Sequence, residues 1–123
     1  MTNNFDQFSN QKYLNLETYK KDGTTVKTTV WFVIDDGVLY VVTRESTGKV
    51  KRLKNNQNVR IIPCGFKGEN KGDWVTGKAT LVGGEKSEKA IKLRRKKYGF
   101  SARLIGLFTS QKGQLIVFGI KLD

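Results

Sequence analysis

YLNLETYKKDGTTVKTTVWFVIDDGVLYVVT, residues 13–43, decides the fold. Val26 to Ile34 is rich in β-branched and aromatic residues, which suit the pleated, half-buried surface of a strand. Tyr13 to Tyr19 alternates in part, and Val38 to Thr43 is a further apolar run. Between these runs stand Asp22-Gly23 and Asp36-Gly37, each with the residue of positive φ that a primed hairpin turn needs. The stretch therefore predicts three antiparallel strands joined by tight turns.

Outward from it, the period changes. From Ser46 to Asn56 the apolar residues are Val50 and Leu53, three apart, with Ser46 or Thr47 as a candidate N-cap. This predicts a short helix. NVRIIPCGF (58–66), WVTGKATLV (74–82) and QLIVFGIKL (114–122) return to strand, with Gly77 a candidate bulge or close-packing point. The segment after Gly83-Gly84 reads as a second, basic helix that stops at Gly99, a natural residue to follow a helix end. Residues 101–110 read as a further short helical piece. Residues 3–12 read as a short N-terminal helix capped by Asn3 or Asn4, with Phe5 and Phe8 on one side. Six strands linked mainly by hairpins make a small antiparallel sheet, and a closed or split barrel removes its open edges. The expected fold is mainly β, a six-stranded antiparallel split β-barrel with short helical insertions, in one domain spanning residues 1–123.

The charge is lopsided. There are 23 Lys and Arg against 11 Asp and Glu, a net +12, which favours anionic partners. The chain has no histidine, which excludes His-based triads and His metal ligands, and its one cysteine, Cys64, cannot form an intramolecular disulfide. Scattered carboxylates offer neither a metal cluster nor an acid–base pair, so any redox chemistry has to come from a cofactor. The polar N-terminus lacks the apolar core of a signal peptide and no apolar run reaches membrane-spanning length, so a soluble, cytoplasmic protein is expected.

Four constellations could carry chemistry. In TRESTGKVKRLK (43–54), a strand end meets a helix start, where free N–H groups favour an anion. Thr43 and Ser46 add hydroxyl donors there, and Lys49, Lys51 and Arg52 add charge, the equipment of a phosphate monoester seat. An N-capped helix with solvated basic residues fits the same spacing. In the strand at 24–34, Thr28, Thr29, Val30, Trp31 and Phe32 offer hydroxyls, backbone donors and flat apolar surface that can flank a planar heterocycle, or simply serve as core and dimer contacts. Trp74, after a glycine-rich loop, can cover a ligand or pack at a rim. The run KAIKLRRKKYG (89–99) is a solvated helix face or a surface for an anionic partner. A nucleic-acid-binding small barrel would share the charge, but its aromatic residues should interleave with basic ones along one sheet face, and here they do not.

The order of these segments, together with STGKVKRLKNNQNVRIIPC (46–64), GDWVTGKATLV (72–82) and KKYG (96–99), resembles the pyridoxamine 5′-phosphate oxidase-like split β-barrel superfamily. Within it, the chain is similar to the flavin and deazaflavin (coenzyme F-420) oxidoreductase branch over roughly residues 12–120. The resemblance implies a homodimer with FMN or coenzyme F-420 at the subunit interface and hydride transfer to a small organic substrate. The alternative it leaves is a carrier of the same cofactor without turnover. It also implies that the TTVWF strand contacts the ring system. Lys49 falls on the motif lysine of the phosphate seat, Lys51 on the basic position two residues later, and Thr43 and Ser46 on the hydroxyl positions before them. No nucleic acid, membrane or metal partner is implied. Two positions depart from the family pattern: Val30 stands where proline commonly precedes the tryptophan, and Asn56-Gln57 stands where Asn-Pro is common.

Overall fold

Tyr13 to Arg44 folds as antiparallel strands, and the way its second strand bends organises the rest. The computed structural model describes the backbone of residues 5–108 and 114–123 and the side chains of 5–98 and 114–123. Strands β1 (Tyr13–Tyr19) and β2 (Thr25–Trp31) pair along their whole length, Tyr13 opposite Trp31 and Tyr19 opposite Thr25. After Phe32 the chain resumes as β3 (Val33–Asp35), which pairs with β4 (Val38–Arg44). The single strand expected over Val26–Ile34 is thus two segments broken at Phe32, and among the described residues the six expected strands are seven. The remaining strands are β5 (Asn58–Cys64), β6 (Val75–Val82) and β7 (Leu115–Leu122).

All pairings between these strands are antiparallel, in the order β2-β1-β5-β6-β7-β4-β3. The two ends of that order, β2 and β3, are halves of one bent strand. Chain continuity at Phe32 therefore ties the ends of the curled sheet together, as a barrel needs.

Two turns set this up. Asp36 and Gly37 both have positive φ, 50° and 75°, as a primed two-residue hairpin requires. The β1–β2 connection is longer. Gly23 N–H bonds the Lys20 carbonyl at 3.0 Å, and Gly23 takes up φ +88°. That is a turn followed by a left-handed glycine rather than a primed pair.

Helix α1 (Gly48–Asn55) starts after Thr47, one of the two expected N-cap positions, and it buries Val50 and Leu53 against the barrel interior. That interior holds Leu14, Leu16, Phe32, Leu39, Ile61 and Ile120 among others, closed from one side by Phe8 of a 3-10 turn, Asp6–Phe8. The longer N-terminal helix is not formed within the described residues; Asn3 and Asn4 lie outside them. Helix α2 (Gly84–Phe108) does not stop at Gly99 but continues unbroken through it. The expected separate piece at 101–110 belongs to this helix as far as Phe108, its last two residues lying outside the described part. A second core forms where α2 lays Ala90, Ile91 and Leu93 on the outward side of β3, β4 and β7, against Val33, Tyr40 and Val117. Cys64 is buried and free. Among the described residues no helix is long and apolar enough to cross a membrane.

Candidate cofactor site

Strand alternation divides the candidate residues between the two faces of the sheet. On β2, Val30 faces the interior and is buried, while Thr29 and Trp31 face outward opposite Asn15 and Tyr13. Thr29 donates its hydroxyl to the Asn15 side chain at 2.7 Å. Asn15 is fully buried and donates in turn to the Gly68 carbonyl (2.8 Å) and to Asn70 Oδ1 (2.9 Å). The Thr29 hydroxyl thus ties β2 to the loop after β5. Thr28 is half-buried on the Val30 side.

Phe32 turns its ring into the core, edge-on to Phe8 with centroids 6.0 Å apart. Its backbone is claimed by α2. The Phe32 N–H donates to the Tyr98 hydroxyl at 2.9 Å, and its carbonyl accepts from Lys97 Nζ at 2.8 Å. The Tyr98 hydroxyl also donates to the Lys12 carbonyl at 2.6 Å. This is why the strand breaks: the groups of Phe32 that would continue a ladder are satisfied by side chains from a distant helix.

Trp31 is not bare either. Tyr98 stacks on it, with centroids 4.3 Å apart and planes 7° from parallel, and the Arg94 guanidinium lies 5.4 Å from its ring centre. Burial pushes the Tyr98 phenol up to about 12 and holds the Lys97 amine down to about 8. Burial and the neighbouring charge of Arg44 lower the Arg94 pKa, and its Nε is buried without a hydrogen-bond partner among the described residues. Arg94, Lys97 and Tyr98 were legible only as a basic helix and its C-terminal flank. The one signal for their inward turn was their placement three and four residues apart on the side that also carries Ala90 and Ile91.

At the β4–α1 junction, Thr43 is buried and its hydroxyl lies 3.3 Å from that of Thr47. Thr47 occupies the N-cap position, but its hydroxyl donates backward to the Arg44 carbonyl at 3.0 Å and caps no N–H of α1. Ser46 is exposed. Lys49 stands in the first turn, half-buried, and its pKa is lowered by burial first and by the charge of Arg52 second. No acidic residue lies in that first turn. The basic trio then separates. Arg52 swings to β1 and donates from Nε to the Thr18 hydroxyl at 2.7 Å, while Lys51 is exposed on the outward side of the helix. Trp74 lies elsewhere, under the Arg60 guanidinium at 4.7 Å, and Arg60 grips Glu17 through two bonds of 2.7 and 3.1 Å. The structure thus brings together Thr43, Thr47 and Lys49 at the helix start and Trp31 with Tyr98 and Arg94 on the outer face. Trp74 is occupied by a cation–π contact. Among the described residues no group of three or more acidic, Cys or His side chains is placed to hold a metal.

No family model matches the chain, and no curated protein matches it in sequence. Solved structures do match in fold. A Listeria innocua protein named for pyridoxamine 5′-phosphate oxidase superposes with a TM-score of 0.66 at 16% identity, covering 91% of this chain and 84% of that one. The haem storage protein HutZ of Vibrio cholerae gives 0.67 at 21% identity, over 97% and 85% of the two chains. An F-420 reductase gives 0.67 at 17% identity, over 100% and 96%. At these identities the likeness speaks for architecture alone: the chain shares the split-barrel fold of these structures.

Proposed function

We propose that this chain binds a phosphorylated flavin or deazaflavin, FMN or coenzyme F-420, and acts as an oxidoreductase on a small organic substrate, as a homodimer with the cofactor at the subunit interface. The observation that carries the reading is the state of Lys49. It is a half-buried cation beside Arg52, at the positive end of α1, with no carboxylate paired to it among the described residues. Burial, Arg52 and the helix dipole all disfavour its charge, and an arriving phosphate offsets all three. The first N–H groups of α1, which Thr47 does not cap, add donors to the same place.

The residues present fit such a group in a second respect. Trp31, held flat by Tyr98 and flanked by Arg94, offers a fixed aromatic edge and a cation on the outer face of β2. Thr29 would contribute hydroxyl and backbone contacts beside it, and Thr28, whose side chain lies on the opposite face, backbone contacts alone. When bound, the cofactor supplies the hydride chemistry that this chain lacks. The protein's own part is to bind, orient and exclude water.

The test is an absorbance and fluorescence titration with FMN and with coenzyme F-420. Saturation at one cofactor per protomer is expected for at least one of them. Lys49→Ala should weaken that binding by about 1.5–3 kcal/mol, the worth of a charge-assisted hydrogen bond. Absence of binding to both cofactors, or an unchanged affinity in the variant, would refute the seat. A substrate-reduction assay with the reduced cofactor then separates an enzyme from a carrier.

A further inference from the structure

A cavity of about 300 Å³ opens between the corner at Tyr19, Lys20 and Lys21 and the row Gly48, Lys51, Arg52 and Asn55 on α1. Positions 48, 51, 52 and 55 share one helix face, and Lys49 stands about 100° round the helix from Gly48 and does not line it. Four cations, Lys20, Lys21, Lys51 and Arg52, converge here, and no Asp or Glu is among the lining residues. Asp22, next along the chain, turns its Oδ1 to the Thr24 N–H (3.0 Å) and hydroxyl (2.7 Å).

Arg52 is fixed in place. Its Nε is held by Thr18, a buried residue, and its guanidinium lies against Gly48, where an added Cβ would come within 2.9 Å of Nη1. The bond to Thr18 uses Nε and leaves the two terminal nitrogens of the fork to a ligand.

We infer that this cavity is a second anion site, taking a phosphorylated small molecule, separate from the seat at Lys49. A fork with two free nitrogens matches two oxygens of a phosphoryl group, and the three lysines add point charge around it. Four positive side chains call for an anion of at least two charges, which a phosphate ester supplies and a monocarboxylate does not. The volume sits at the small end of the ligand-cavity range of ~300–1,000 Å³. The Tyr19 ring and the lysine stems give an apolar wall for the organic part of such an ester.

The experiment is a calorimetric titration with phenyl phosphate at about 50 mM salt, where charge contacts are weakly screened. One saturable site is expected. Replacing both corner lysines, Lys20→Ala with Lys21→Ala, should weaken it about fivefold or more. Removing two charges from the exposed face of α2, Lys92→Ala with Lys96→Ala, should change it by less than about twofold. All four lysines are exposed, so folding is not at stake. No saturable binding, or equal weakening by both double variants, overturns the inference. Titrating FMN and coenzyme F-420 into the same variants keeps the two readings apart. Unchanged cofactor affinity in the corner variant supports a separate site. A matching loss there, with phenyl phosphate displacing the cofactor, overturns the separate site and leaves the cofactor reading standing.

Discussion

Tyr98 shows how much a single side chain can fix. Its hydroxyl takes the Phe32 N–H and gives its own proton to the Lys12 carbonyl, while its ring covers Trp31. Tyr98→Phe keeps the stacking but strands a buried N–H, so urea unfolding should show a loss of about 1–3 kcal/mol. Beside it, Lys97 has its amine held down to about 8 by burial, against an ordinary 10.5. Between those values the unfolded chain binds the proton more readily than the folded one. Stability should therefore rise as pH goes from about 8 toward 10.5, and the Lys97 contribution is lost as pH falls through about 8. Comparing the pH dependence of unfolding with that of Lys97→Met checks this: the rise should disappear in the variant. The basic character of this region was plain in the sequence. Its partners were not, because Phe32 and Tyr98 are 66 residues apart and nothing local joins them.

The strands of residues 13–43 were legible because β-branched runs and Asp-Gly turns state their structure locally. The break at Phe32 was not, since its cause is tertiary. Helix α2 defied its local stop signal for a related reason. A mid-helix glycine costs only about 1 kcal/mol, which packing of a long helix against the sheet readily exceeds. Close approach at Gly77 was legible, and here the structure supplies the agent. A Cβ at 77 would sit 2.7 Å from the Lys121 carbonyl oxygen, a backbone atom of the paired strand β7. Gly77→Ala should push β6 from β7 and cost about 1–3 kcal/mol, read as a lower midpoint in thermal unfolding. Among the candidate site residues, the spacing correctly placed Lys49 in the first turn of α1. It could not show that Arg52 leaves the helix start for Thr18, because the reach of an arginine to another element is set only when that element is in place.

At the scale of the whole molecule, a net charge of +12 on 123 residues works against compactness through self-repulsion. Raising salt from about 0.01 M to about 0.1 M shortens the screening length from ~30 Å to ~10 Å, so the melting temperature should climb. A fall would show that favourable ion pairs such as Lys89–Asp35 and Glu17–Arg60 outweigh repulsion. The strand order holds one more consequence. Strand β7, Leu115–Leu122, lies between β6 and β4, and so joins the group β2-β1-β5-β6 to the group β4-β3. Without it the sheet is two ribbons with no strand pairing between them. Folding to the finished barrel has to wait for residues far along the sequence, and a chain shortened before Leu115 would lose the keystone rather than a terminal fringe.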